Sequence, residues 1–186
     1  MGLRVTFDLD DNDLKHFRLI MQQARTTAAR IAPEDIVAAA ENLLATIEPD
    51  DAPAFVAERL QKLRLLIDML SDIEWRLPKR EADRVLSALA YFAEPEDLIP
   101  DDIPGLGFLD DAIMIELICR ELRHEIEAYQ DFRDYRLRVQ RDSGRNSRVS
   151  REDWLENRRN ELQSRMRRRK RKDIAGKSKG RISLLR

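Results

Sequence analysis

Tyr91-Phe-Ala-Glu-Pro-Glu-Asp-Leu-Ile-Pro-Asp-Asp-Ile-Pro-Gly-Leu-Gly-Phe-Leu-Asp-Asp-Ala-Ile-Met-Ile115 is the stretch on which the fold turns. Three prolines, two glycines and seven acidic residues separate two apolar runs of helical spacing. Proline donates no backbone hydrogen bond and drives the residue before it out of the helical region. Pro95 therefore ends the run through Val85, Leu86, Leu89 and Phe92, and Pro100 and Pro104 keep Ile99 and Ile103 extended. Gly105 and Gly107 allow positive φ or close backbone approach. Beyond them Ile113, Met114, Leu117, Ile118, Leu122, Ile126, Tyr129 and Phe132 recur with helical period. The pattern predicts a helical hairpin braced by a Pro/Gly connector.

Asp110 and Asp111 fall in the first turn of the second hairpin helix, where carboxylates complement the helix dipole by roughly 0.3–1 kcal/mol each. With Glu96, Asp97, Asp101 and Asp102 they make an acidic cluster. Hard divalent cations take such oxygens; turn and cap chemistry by Asp uses the same residues without a metal. The spacing fits no calcium-loop template and contains no histidine, so no metal site is assigned. The alternative, a metal-dependent enzyme or sensor at Glu96–Asp111, stays open.

The spacing Pro95-x-Asp97-Leu98-Ile99-Pro100-Asp101-x-Ile103-Pro104-x-x-Gly107-x-x-Asp110-Asp111 resembles the signature of the YkvA-like family, a small bacterial domain of unknown function. The resemblance runs from Lys79 to Arg123. Val5-Thr-Phe-Asp-Leu9, leading into Leu14-Lys-His-Phe-Arg18, is similar to the start of longer members. Pro95, Asp97, Pro100, Asp101, Pro104, Gly107, Asp110 and Asp111 are its structural signature here. Some members are described as membrane proteins. Asp102, where the family often carries an aromatic or apolar residue, argues against burying this hairpin in lipid.

Outward from the hairpin the chain reads as all-α. Leu3, Val5, Phe7 and Leu9 alternate weakly, as in one short strand or extended segment. Asp11 or Asn12 is placed to cap a helix carrying Leu14, Phe17, Met21, Ala24, Ala28 and Ile31. Pro33, Glu34 and Asp35 mark a second start, with Ile36, Val37, Ala40, Leu43, Leu44 and Ile47 as its apolar face. A third helix carries Phe55, Val56, Leu60, Leu63, Leu66, Ile67, Leu70 and Ile73 and stops before Pro78. The expectation is a bundle of about five helices over residues 11–139. The domain boundaries follow: an acidic helical domain at 1–140 with the YkvA-like core at 79–123, a linker at 141–150, and a protruding basic helix with a disordered tail at 151–186.

The net charge of −1 conceals a steep asymmetry. Residues 1–132 hold 14 Lys+Arg against 28 Asp+Glu, and residues 133–186 hold 20 against 7. An acidic body with a basic appendage is the direct reading. The run Arg158, Arg159, Arg165, Arg167, Arg168, Arg169, Lys170, Arg171 and Lys172 is the candidate polyanion-binding site. Cations at this density bind phosphates by counterion release, and Arg forks match phosphate geometry. Three partners fit: RNA or another nucleic acid, the acidic body of this or another copy, and anionic lipid. The thin apolar stripe of Trp154, Leu155, Leu162 and Met166 makes a poor membrane face, so membrane association ranks last.

No catalytic constellation is legible. Val5-Thr-Phe-Asp-Leu-Asp10 resembles an aspartate-nucleophile strand, but nothing downstream supplies a parallel sheet, and helix capping by Asp10 and Asp11 is the better reading. Gly105-Leu-Gly107 is too short for a dinucleotide fingerprint. His16 and His124 stand on separate helices without ligand-spaced companions, and Cys119 lies among apolar neighbours. No cofactor is implied. A single cysteine and the lack of a secretory signal region or a 20-residue apolar run point to a soluble, cytoplasmic protein. The expected function is a non-enzymatic binding or adaptor protein whose basic tail engages an anionic partner; a peripheral membrane-associated protein is a further alternative.

Overall fold

The computed structural model describes residues 8–47, 53–93, 108–142 and 148–183. They form seven α-helices with no strand among the described residues: α1 Asp13–Ala28, α2 Pro33–Thr46, α3 Ala54–Ser71, α4 Lys79–Leu89, α5 Leu109–Glu121, α6 Arg123–Asp142 and α7 Arg148–Ser183. A 3-10 turn, Ala90–Ala93, follows α4. The fold is all-α. The Pro/Gly connector lies outside the described residues, and with it Pro95, Asp97, Pro100, Asp101, Pro104 and Gly107; so does most of the weakly alternating segment before Asp8.

Local chemistry explains the ends. Of the residues the sequence offers as caps of α1, Asp10 fills the role: its Oδ1 accepts from the amides of Asn12 at 2.7 Å and Asp13 at 3.0 Å. Asp13 returns the bond by accepting from the Asp10 amide at 3.0 Å. This reciprocal pairing is a capping box in all but residue type. Pro33 opens α2 with Glu34 and Asp35 in the first turn, as the sequence indicates. The long run after Gly107 is two helices instead of one, interrupted at Leu122. At that break the Arg84 guanidinium donates to the Glu121 carbonyl at 3.0 Å. The α5 terminus thus has a donor of its own for a group that a helix end leaves without an intrahelical partner.

Contacts group the chain into two compact units: the chain up to Ile67 with Ala82–Glu121, and Asp68–Glu81 with Leu122 onward. In the first, Met21 and Ala24 of α1, Ile36 and Ala40 of α2, Leu63 and Leu66 of α3, and Val85, Ala88 and Leu89 of α4 are buried with Met114, Ile115 and Ile118 of α5. Ala90 and Tyr91 of the 3-10 turn are buried there too, and this turn packs against α1 and α2.

The second unit is built on α6 and α7, which pack along each other. Trp75 is its centre: it is fully buried, with ring centroids 5.2 Å from Phe132 and 5.8 Å from Tyr129. Such aromatic pairs add about 0.5–1.5 kcal/mol beyond their buried area. Asp72 fixes the turn that delivers Trp75, its Oδ1 accepting from the amides of Glu74 at 2.9 Å and Trp75 at 3.0 Å. Arg76 then adopts φ 47°, a left-handed conformation that costs a non-glycine residue ~1–2 kcal/mol. From α7, Leu155, Leu162 and Met166 are buried. Residues 155–173 of the basic helix are therefore a packed member of this unit and do not protrude from it. Helix also continues through Ser183, where the composition suggested a disordered tail. The sequence reading divides the chain near residue 141; the contacts divide it after Ile67, Glu81 and Glu121, and α7 joins α6 in one unit.

Candidate nucleic-acid interface

The helical period sorts the cations of α7 into two sets. Leu155, Arg159, Leu162, Gln163, Met166 and Lys170 share the inner face, spaced three or four residues apart. Gln163 donates to the carbonyls of Trp75 at 3.0 Å and Arg76 at 3.2 Å. Arg159 donates to the Glu74 carbonyl at 3.1 Å. The Asp72 turn aims these carbonyls, so the two features fold as one piece.

On the flanks of that face the cations meet acids of α6. Lys170 pairs with Glu125 at 2.6 Å, Arg169 with Glu127 at 2.9 Å, and Arg165 with Asp131. Near the start of α6, Arg123 and His124 both hold Asp173 of α7, His124 Nε2 at 2.7 Å. Contact with His124 and the charge of Arg123 hold the Asp173 carboxyl below its ordinary range. The order of pairs, with Glu125 meeting Lys170 and Asp131 meeting Arg165, makes the two helices antiparallel. Arg158 bonds Glu161 at 2.7 Å and lies over the Tyr135 ring, 5.6 Å from its centroid.

Of the nine sequence-predicted cations, Arg158, Arg159, Arg165, Arg169 and Lys170 are thus engaged within the unit. Arg167, Arg168, Arg171 and Lys172 are exposed, and none lies within ion-pair distance of a carboxylate among the described residues. Arg167, Arg168 and Arg171 line a shallow outer groove with Glu161 and Ser164. The guanidinium Nε of Arg167 donates to the Gln163 carbonyl, and that of Arg171 to the Arg167 carbonyl, which leaves their outer forks toward solvent.

The other candidates carry less chemistry. Asp110 and Asp111 lie in the first turn of α5 and are buried. Their four acidic companions in the cluster lie outside the described residues, and no group of three or more His, Cys, Asp or Glu is arranged to hold a metal among the described residues. Burial pushes the Cys119 thiol up to about 11, which disfavours the thiolate a nucleophile needs. A cleft of about 380 Å³ in the first unit is lined by Leu14, Phe55, Ile113, Arg59, Glu116 and Arg120 among others. Its Glu116 is paired, taking Lys62 at 3.0 Å and Arg120 at 3.1 Å. Desolvation alone would raise the Glu116 carboxyl, yet these cations hold it below its usual range.

Sequence reasoning missed the Asp72 network. Besides the two turn amides, Asp72 accepts from Tyr129 Oη at 3.0 Å and Arg136 at 2.7 Å, and Arg136 also reaches Glu74 at 3.0 Å. Asp72 followed two and three residues later by the amides it caps is a local signal. Its distant partners on α6 leave none.

A family model described as protein of unknown function (DUF1232) matches residues 84–117. The chain is 35% identical over 80 residues to the uncharacterized membrane protein YkvA of Bacillus subtilis (strain 168), which covers 40% of this chain and 74% of that relative. No solved structure matches. No helix among the described residues is long and apolar enough to cross a membrane.

Proposed function

This chain belongs to the YkvA-like family (DUF1232), and from that premise we propose that it is a non-enzymatic binding protein whose outer α7 face engages an anionic partner, RNA or another nucleic acid, in the cytoplasm. The observation that carries the reading is the set of exposed cations Arg167, Arg168, Arg171 and Lys172 on one packed helix, with no carboxylate at ion-pair distance among the described residues. Cations held in place by a folded support bind polyanions with less ordering cost than a free tail. Residues 84–117, matched by the family model, lie outside this helix, so the proposed activity belongs to the chain's own second unit.

The test is a mobility shift of the full chain against RNA, repeated with Arg167, Arg168, Arg171 and Lys172 all changed to Glu. The expected result is loss of the shift with the helical circular dichroism unchanged. Equal binding by the variant would refute the reading.

The relative's description as a membrane protein favours a second reading, in which the same cations hold anionic phospholipid. Between Asn157 and Lys172 the outer face (Asn157, Asn160, Glu161, Ser164 and the four cations) carries no apolar side chain, and Trp154 and Ile174 are exposed on either side of it. Attachment would then rest mainly on charge, with about 1 kcal/mol per cation near an anionic surface. Vesicle sedimentation separates the two readings.

A further inference from the structure

We infer that the nucleic acid held by α7 is single-stranded and that Trp154 stacks against one of its bases, an inference that rests on the nucleic-acid reading above. The chain has two tryptophans, and their surroundings differ sharply. Trp75 is fully buried against Tyr129 and Phe132, whereas Trp154 is 42% exposed. Successive helical residues turn by about 100°. Trp154 and Lys172, 18 residues apart, are separated by about five full turns and lie on one line along α7, ~27 Å from each other. Arg168, 14 residues after Trp154, falls about 40° from that line. Arg171 and Arg167 lie farther round the outer face. Between the ring and the cations the same edge carries Glu161, which Arg158 holds at 2.7 Å, and Arg165, which pairs with Asp131.

An aromatic face joined to a cationic track is the chemistry of sequence-tolerant single-strand binding: the cations follow the phosphates, and every base has a π-face to stack. Bases in a duplex already stack on one another and present their edges in the grooves, so a ring reaches a base face there only by unstacking a step. A bilayer interface also takes tryptophan. The other large apolar residue exposed on the described part of α7 is Ile174, 20 residues after Trp154 and about 160° round the helix from it. The two side chains do not enter one membrane plane together, which sets the strand ahead of the lipid.

Because Trp75 is buried, quenching of tryptophan fluorescence on titration reads Trp154. The experiment titrates the full chain, at one salt concentration, with a mixed-sequence RNA strand of about 12 nucleotides, the same strand in duplex, an abasic strand of equal length, and phosphatidylserine vesicles. The expected result is quenching by the RNA strand and none by the duplex or the abasic strand. Trp154→Ala should weaken binding of the RNA strand about 5- to 150-fold, the equivalent of one stacked base at ~1–3 kcal/mol, and leave the duplex within about twofold. The thermal midpoint should not move, and Trp154→Phe, which keeps a ring, should recover most of the loss. Strand binding without quenching, or Trp154→Ala binding the strand as the wild type does or losing strand and duplex alike, overturns the stacking inference and leaves the nucleic-acid reading standing. Binding to vesicles and to no nucleic acid overturns both, and so does binding to none of the four.

Discussion

Asp72 shows how much one short side chain can organise. Its carboxylate is nearly buried and accepts four hydrogen bonds, two from turn amides, one from Tyr129 and one from Arg136. Desolvation pushes its carboxyl up, but the Trp75 amide and the Arg136 guanidinium outweigh this and hold it below the ordinary range. Replacing it with Asn turns one acceptor into a donor facing the Arg136 guanidinium, which then lies part-buried without that carboxylate. Asp72→Asn is expected to destabilise the second unit by about 2–3 kcal/mol in urea unfolding. Asp131, half-exposed and paired to Arg165 across the helices, is the contrast: Asp131→Asn should change stability by no more than ~1 kcal/mol. A loss below ~0.5 kcal/mol for Asp72→Asn would mean the turn is held by Trp75 packing instead.

At the scale of elements, α7 is where composition and packing part company. Trp154, Leu155, Leu162 and Met166 were legible as a thin stripe, too narrow to suggest a core helix. Leu155, Leu162 and Met166 are buried, whereas Trp154 is a helical step of about 100° off the stripe and remains exposed. What the stripe lacks in apolar width is supplied by Arg159, Gln163 and Lys170, whose polar ends reach buried carbonyls and Glu125. Arg and Lys stems cover apolar surface while their heads find partners, and a hydropathy pattern scores them as solvent-facing. The start of α2 at Pro33 was readable because proline acts locally. The expected end of the third helix just before Pro78 was not found: α3 stops at Ser71, ahead of the Asp72 turn, and leaves Ile73 outside the helix and exposed. The split at Leu122 was not readable, since its donor, Arg84, comes from 37 residues away. Leu162→Ala is expected to cost about 2–5 kcal/mol of local stability and to speed trypsin cleavage in the Arg165–Lys172 run. Cleavage at the wild-type rate would show that α7 is already detached in solution.

For the whole molecule, the −14 and +13 halves suggested a body and an appendage, but the acids that neutralise the basic helix lie within its own unit. Glu125, Glu127 and Asp131 of α6 meet Lys170, Arg169 and Arg165 of α7, and Asp173 answers Arg123 and His124. Bulk charge counts could not find this, because the acids of α6 were summed with the body. The signature acids Asp110 and Asp111 were placed correctly in the first turn of α5, but their burial is a property of packing that spacing does not report. Both units depend on carboxylates held below their ordinary range: Glu116 in the first, Asp72 and Asp173 in the second. A carboxylate depressed by folding contributes stability that is fully present above its unfolded value, near ~4, and is lost as pH falls through the folded value. The unfolded chain then binds more protons than the native one, so stability rises with pH across that window. Urea midpoints are therefore expected to stay level from pH 7 to about 5 and to fall progressively below ~4. Asp72→Asn should flatten part of that acid limb, because one of the linked protons is gone. A midpoint that rises on acidification would mean that relief of carboxylate repulsion within the acid-rich first 132 residues outweighs the ion pairs.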